Sequence, residues 1–508
     1  MLCVGLAGPS ATGAELAELR ELGPGGFILF KRNVSTPSAT RALVSAVRAA
    51  IGGTAPALAC VDQEGGRVAR LAFDELELPS MMALGAAGDE DLAYRAGALL
   101  AYQLRLAGLN VNFAPVLDLA LEPRNTVIGT RSLGDDPERA ATLGSALVRG
   151  LQAGGCAATV KHFPGHGATA GDSHRELPQV TASAATLRSR ELRPFMAAFA
   201  AGARALMSAH VVATGLDAAQ PATLSPYVLT ELLRRELGFA GVCFTDCLEM
   251  EAIAGEAGTA NGAARALAAG ADCLLVSHDL ARVRAARDAL VAAVTSGSVS
   301  AARLEEAAAR VAALRAALAS PVPANAEDEA ARHAETAREI ARRAVCLVRG
   351  DAGLDLAKPV TVISFEGAGV SDGAAALHGA RPSLSLALRR RRMRSELMRV
   401  ALAPDAEMRA MLLDVVRTQG ERNVVIVTRR AHLYSEQAQS VDALLEAAPA
   451  AVVVSALEPF DVPALVRARN ILCSFGDEAP NFEAVAGVLT GSARAPGIMP
   501  VSLEPAHS

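Results

Sequence analysis

The segment "AATVKHFPGHG", residues 157–167, runs from an apolar stretch straight into a lysine and a histidine, and then into a proline and two glycines. A strand buried on both faces reads as a near-continuous apolar run, and the Pro164–Gly165 pair cannot continue it. The segment therefore predicts a buried strand with charge at its C-terminal end. The same pattern recurs along the first 280 residues: "LCVGLAG" from 2, "GFILF" from 26, "ALACVD" from 57, "NVNFAPVLDL" from 110, "ARALMSAH" from 203, "VCFTDC" from 242 and "ADCLLVS" from 271. Amphipathic segments with helical spacing separate most of these runs, among them "ATRALVSAVRAAIG", "AATLGSALVRGLQAGG" and "NGAARALAAG", several closing on glycine as a helix C-cap does. Eight strand–helix units predict an α/β fold, a closed (β/α)8 TIM barrel. A doubly wound open sheet is the competing arrangement.

In such a barrel, the C-terminal ends of the strands carry the chemistry. Asp62 ends the third run and is followed by "QEGGRVAR"; Asp118 lies near the end of the fourth, Lys161 and His162 end the fifth, His210 the sixth and Asp246 the seventh. Taken singly these have plain readings. Asp62 or Asp118 would be a loop cap, Lys161 and His162 an ion pair and a packed ring, and Asp246 with Glu249 the acidic opening of a helix. Their coincidence at one rim, against apolar walls where each charge needs a partner or a ligand, predicts a polar pocket.

Residues 300–316 have helical spacing, and "SPVPANAEDEA" from Ser320 then has the composition of a connection. From Arg338, the runs "IARRAVCLV", "VTVISF", "MRVALAP", "NVVIVT", "AAVVVSAL" and "NILCSF" alternate with helical segments and predict a smaller three-layer α/β sandwich. The expected division is a barrel domain over 1–320, a linker over 321–337 and a sandwich domain over 338–508. No glycine-rich phosphate loop occurs in the second part, which leaves binding, domain contact or stability as its role.

The composition of the 508-residue chain, 51% hydrophobic and 20% charged, describes a folded protein whose hydropathy comes largely from alanine. The apolar run from Ala450 to Leu457 is too short to span a bilayer, so no membrane partner is expected. The start, "MLCVGLAGPS", lacks a cationic segment followed by a long apolar one, which points to a cytoplasmic protein. Eight scattered cysteines without a C-x-x-C pair suit buried thiols in a reducing compartment. A net charge of −5 and the absence of a basic stripe argue against nucleic acid, and the run "RRRRMR" at 389–394 reads as a solvated face. Oligomeric state is left open.

The stretch after Lys161 offers two chemistries. His162, His166, Asp172 and His174 are all possible metal ligands. Two histidines four apart share one ion readily on a helix, however, and "FPGHG" is no helix interior. In the other reading Asp172 orients His174 two residues on, and a flexible, glycine-bearing loop delivers that proton donor to a bound substrate.

Together, "VDQEGGRVAR", "NFAPVLDL", "KHFPGHG", "DSH" and "GVCFTDCLEM" resemble the bacterial beta-N-acetylhexosaminidase (beta-N-acetylglucosaminidase) branch of glycoside hydrolase family three, over the first 320 residues or so. The later part, from "REIARRAVCLV" to "GIMPVSL", is similar to the second α/β domain that some members carry. The resemblance implies an exo-acting, retaining glycosidase in which Asp246 is the nucleophile and His174, oriented by Asp172, is acid and base. It also implies that Asp62, Arg70, Arg131, Lys161 and His162 bind a terminal N-acetylglucosamine. The substrate expected from it is a small carbohydrate, a peptidoglycan fragment, with no cofactor and no metal. Cys247 stands where the family often has a second acid. The absence of tryptophan and the 3% of aromatic residues leave few stacking platforms, so one tightly held sugar is expected. A phosphorylase is the nearest alternative, because a histidine acid/base does not repel phosphate, and a non-catalytic sugar-binding protein is the alternative from another class.

Overall fold

The computed structural model describes residues 1–71, 76–170, 177–255, 257–319, 326–367, 382–418 and 420–503. The eight expected runs form eight parallel strands: β1 (Leu2–Gly5), β2 (Gly26–Leu29), β3 (Leu58–Val61), β4 (Val111–Asn112), β5 (Ala157–Phe163), β6 (Ala205–Ser208), β7 (Val242–Thr245) and β8 (Leu274–Val276). Their order is β8-β1-β2-β3-β4-β5-β6-β7. The ring closes where Phe244 pairs with Cys273 in a parallel bridge, and where the amides of Thr245 and Leu248 donate to the carbonyls of Cys273 and Leu275, both at 2.9 Å. The architecture is the barrel, and the open sheet is set aside.

Strand β4 is shorter than its sequence run. Pro115 has no N–H to give the ladder, and pairing resumes only at the Val116–Lys161 bridge. Asp118, expected near the strand's end, consequently sits in the loop beyond it.

Inside the ring, Cys3, Ile28, Cys60, Phe113, Met207, Phe244 and Leu275 form one buried cluster, joined by Val311, Leu314 and Leu318. Those three belong to or directly follow the helix Ala301–Ala317, whose Arg315 donates to the carbonyl of Pro56 at 3.1 Å, just before β3. The same end of the barrel holds the buried Asp272, paired with Arg234, Arg303 and Arg310. One end is thus sealed by packing and ion pairs, and the C-terminal rim is left for chemistry. All eight cysteines are buried and unbridged.

The second sheet contains β9 (Cys346–Arg349), β10 (Val360–Phe365), β11 (Ser395–Val400), β12 (Asn423–Thr428), β13 (Val452–Ser455) and β14 (Asn470–Cys473). The order is β9-β14-β13-β12-β10-β11, with β9 antiparallel to β14 and the other pairs parallel. Its two faces are buried separately, one under Leu384, Leu388, Phe482 and Val485, the other under Leu412, Val441 and Leu444. That is a three-layer arrangement.

Within the stretch read as a connection stands a helix, Ala326–Ala344. Ala334, Ala337, Ile340, Ala341 and Ala344 are its buried side, and Glu339 and Arg343 pair with Arg95 and Asp89 beside the barrel. An apolar face built mostly of alanine has little contrast with a polar linker, so composition hides it. Barrel residues Met82, Ala83, Ala86 and Ala120 share a buried cluster with Phe460, Phe475 and Val501 of the second part, and Ser80 Oγ donates to the Phe475 carbonyl. Among the described residues, no helix is long and apolar enough to cross a membrane.

Candidate active site

Asp62 follows the last residue of β3, and Glu64 is two residues further along the same extended segment. Lys161, within β5, reaches both: its Nζ lies 2.7 Å from Asp62 Oδ1 and 2.6 Å from Glu64 Oε1. Arg131 grips Glu64 from the other side, with Nε at 2.7 Å and Nη2 at 2.8 Å from the two carboxylate oxygens. Next in line, His162 has Nε2 3.5 Å from Arg131 Nη2 and Nδ1 2.6 Å from Asp118 Oδ2. The result is a continuous chain of ion pairs and hydrogen bonds across the β3–β5 side of the rim.

Burial would push the Glu64 carboxyl up, but Arg131 and Lys161 outweigh it and hold the group well below the usual carboxylate range. Burial would likewise lower Lys161, and Asp62 and Glu64 raise it instead. The Arg131 proton is held more firmly than usual because Glu64 overcomes the burial penalty. Asp118 is drawn below its ordinary value against burial by His162 and then His166. These groups remain charged near neutral pH. Asp62, with 19% of its side chain exposed against 2% for Lys161, is where the network meets solvent.

Arg70 lies in the loop after β3, buried, its amide held by Gln63 Oε1 at 2.8 Å. Asp246 follows β7 at the same rim. Its amide donates to Ser208 O at 3.3 Å, and one of its carboxylate oxygens accepts the Cys247 amide at 2.7 Å. His210, beyond β6, donates from Nε2 to the Cys247 carbonyl at 3.0 Å, which fixes the backbone that carries Asp246. Glu249 does not open a helix. Its Oε2 accepts the amides of Ser277 and His278 at 2.6 and 2.8 Å.

The segment from 161 to 170 is held, contrary to the flexible loop expected there. His166 donates its amide to Asp118 Oδ1 at 2.7 Å, Asn125 Nδ2 donates to the His166 carbonyl at 2.9 Å, and a Cβ on Gly167 would run into the Leu119 carbonyl. Glycine at 167 permits close backbone approach. The His162 and His166 rings stand 6.0 Å apart and edge-on, each Nδ1 engaged separately, by Asp118 and by Thr169. Asp172 and His174 lie outside the described residues.

Arg131 sits at the end of a short turn, Gly129–Arg131, and the second part of the chain grips this loop. Arg430, buried against Glu458 at 3.0 Å, donates to the Thr126 carbonyl at 3.3 Å. His432 bridges Asp461 and the Pro123 carbonyl, at 2.8 and 3.0 Å. Gly129 has φ +44°, and a Cβ there would strike the Glu458 carboxylate.

Residues 9–314 match the family described as glycosyl hydrolase family 3 N terminal domain, more than half of the chain. The chain belongs to glycosyl hydrolase family 3. Among its relatives in that family is a Beta-hexosaminidase of Pseudomonas aeruginosa (strain LESB58), 42% identical over 290 residues, which are 57% of this chain and 86% of that protein. Another, from Stenotrophomonas maltophilia (strain R551-3), is 41% identical over 284 residues, 55% of this chain and 83% of the other. Of solved structures, a family 3 beta-N-acetylglucosaminidase from Paenibacillus sp. str. FPU-7 superposes with a TM-score of 0.91 at 37% identity, covering 99% of this chain and 97% of that one. NagZ from Neisseria gonorrhoeae, in complex with N-trifluoroacetyl-D-glucosamine, gives 0.57 at 33% identity over 66% of this chain and 96% of its own. The protein is a glycoside hydrolase of family 3 with the two-part α/β architecture of the Paenibacillus enzyme.

The expected binding residues Asp62, Lys161, Arg131 and His162 are joined in one network, and Arg70 lies in the same loop as Asp62. Sequence reasoning missed Glu64, the buried hub between Lys161 and Arg131. Its signal was its position two residues after Asp62, which in extended chain puts both side chains on one side.

Proposed function

We propose that this hydrolase is a retaining exo-beta-N-acetylglucosaminidase that removes a terminal non-reducing N-acetylglucosamine from beta-linked glycans, peptidoglycan fragments among them. The observation that carries the reading is the rim itself: a pre-ordered array of donors and acceptors over β3–β5, with the Asp246 carboxylate held by the Cys247 amide just beyond β7. The family relatives named Beta-hexosaminidase support the choice of sugar.

In this mechanism Lys161 has a third N–H beyond those given to Asp62 and Glu64, and it and Asp62 bind sugar hydroxyls. Arg70, Arg131 and His162 complete the pocket and hold the acetamido side. Asp246 attacks the anomeric carbon as the glycosidic C–O bond breaks, and His174, oriented by Asp172, gives the leaving oxygen its proton. Water then attacks the glycosyl-enzyme, losing its proton to His174, and the sugar leaves with its configuration retained. On this reading residues 1–320 are the catalytic domain, 321–337 join the two parts, and residues 338–508 brace the loop of Arg131.

The test is hydrolysis of an aryl N-acetyl-beta-glucosaminide in phosphate-free buffer. Undiminished hydrolysis is expected, with kcat falling on the order of 10³-fold or more in Asp246→Asn while sugar binding is kept. A rate that requires phosphate and yields sugar 1-phosphate would make the enzyme a phosphorylase. An unaltered rate in Asp246→Asn would remove the nucleophile from the scheme.

A further inference from the structure

Beside Asp246 lies a group of side chains that the hydrolytic scheme leaves unused. Cys247 is the next residue, Glu249 lies two further on, and His278 is in the loop after β8. Among the described residues, Cys247 Sγ, a Glu249 carboxylate oxygen and a His278 ring nitrogen all fall within 4.8 Å of one another. The three separations are 3.5 Å from Sγ to Glu249 Oε2, 3.8 Å from Sγ to His278 Nδ1 and 3.2 Å from Nδ1 to Oε2.

Those lengths are close to the edges of a metal-ion tetrahedron. With zinc bonds of about 2.3 Å to sulfur and about 2.0–2.1 Å to nitrogen and oxygen, tetrahedral angles give ligand–ligand edges of about 3.3–3.6 Å. A thiolate–imidazole–carboxylate set favours zinc and similar thiophilic ions over magnesium or calcium. A second observation also points to a ligand. Glu249 Oε1 is buried and has no hydrogen-bond partner, although only 5% of the side chain is exposed. Such an oxygen is costly to leave unpaired; it shares its carboxylate with Oε2, so a cation chelated through both oxygens satisfies it. Access is through His278, 57% of whose side chain is exposed.

We propose that Cys247, Glu249 and His278 form an inhibitory site for a thiophilic divalent cation, zinc being the best fit. Binding exchanges the thiol proton for the metal: the S–H bond breaks, an S–Zn bond forms and one proton passes to solvent. The Ser277 and His278 amides that orient Glu249 Oε2 then act as the outer supports of a ligand carboxylate. Arg32 lies near enough to interact electrostatically with Glu249 and Cys247, and its positive charge sets the affinity below that of a structural zinc site. Exchanging one proton for a doubly charged ion adds one net positive charge at Cys247, the residue after Asp246, and weakens the Asp246 carboxylate as a nucleophile. This last step rests on the proposed role of Asp246, whereas binding itself does not.

The experiment therefore reads binding and activity separately on the full-length protein. Cobalt(II) is titrated into the reduced protein to follow thiolate-to-cobalt charge-transfer absorption in the near ultraviolet, zinc is used to displace it, and proton release is measured in weak buffer. Wild type is expected to give the band at one equivalent, release one proton per metal, and lose at least tenfold in hydrolytic rate at saturating zinc. Cys247→Ser should lose the band. His278→Gln should keep its metal-free rate and bind at least tenfold more weakly. The absence of a thiolate band in wild type would overturn the site and leave a hydrogen-bonded cluster only. Zinc inhibition with the same midpoint in His278→Gln would overturn it too, placing the inhibiting ion elsewhere, and a band without inhibition would overturn the inhibitory role. If Asp246 proves not to be the nucleophile, the band and its loss in Cys247→Ser still decide the binding claim.

Discussion

The two sides of the rim are built on opposite principles. Over β3–β5 the buried charges are matched, Lys161 by Asp62 and Glu64 and Glu64 by Arg131, and His162 is hydrogen-bonded to Asp118. Over β7–β8 the Asp246 carboxylate accepts the amide of the next residue, Cys247 is a neutral thiol that burial pushes up to about 12, and Glu249 retains a buried oxygen without a donor. The first side gains its geometry on folding and has nothing to change during turnover. The second keeps groups whose charge or bonding can change, as a nucleophile's must. Preorganised binding and an adaptable reactive half divide one pocket between them.

The comparison breaks if the two sides respond alike to neutralisation. Asp246→Asn should remove activity by on the order of 10³-fold or more with little change in denaturant-induced unfolding. Lys161→Met should weaken sugar binding and, unlike Asp246→Asn, also destabilise the fold. Removing the cation from between two carboxylates leaves buried charge uncompensated, at a cost of about 3–5 kcal/mol in unfolding free energy. Equal destabilisation by the two substitutions would show that the sides do not differ.

A smaller effect tests how far the ordered side extends. Arg430→Met leaves Glu458 buried without its partner and frees the Thr126 carbonyl. A loss of about 3 kcal/mol is expected, together with an increase in KM of about tenfold and a kcat kept within about threefold, because the Arg131 loop is loosened while Asp246 is untouched. A change in kcat alone would contradict a bracing role for the second part.

The smallest effect is one of pH. Burial drives the His166 ring down to about 4 from an ordinary 6.5, with Asp118 opposing and His162 and Arg131 assisting. The folded protein favours the neutral ring, so the associated stability is complete above about pH 6.5 and is lost as pH falls toward 4. Between pH 7 and pH 5 the loss is about 2 kcal/mol. His166→Gln should flatten the unfolding curve over that range. The depressed Glu64 and Asp118 carboxyls add their own loss only at lower pH, below about 4.5.

The barrel was legible because buried parallel strands are written as short apolar runs, and the charges at their ends marked the rim. Strand β4 was overread because the run continues through Pro115, whose missing N–H interrupts the ladder before the Val116–Lys161 bridge. The partners of the rim charges were less legible. Asp118 and His162 are 44 residues apart, and only the parallel pairing of β4 with β5 brings them together. Glycines suggested mobility around His166, yet Gly167 is there so that two backbones can touch. The grip of Arg430 on the Arg131 loop crosses 304 residues and leaves no local pattern, and the helix Ala326–Ala344 hides its buried side in alanine.

The most direct test of the account is to trap the glycosyl-enzyme. The protein would be incubated with a fluorinated N-acetylglucosaminyl donor that forms the intermediate quickly and hydrolyses slowly, then digested and examined by mass spectrometry. One sugar on the peptide that contains Asp246, absent from Asp246→Asn, is the predicted result. A sugar attached to any other residue, or none while the donor is consumed, would contradict it.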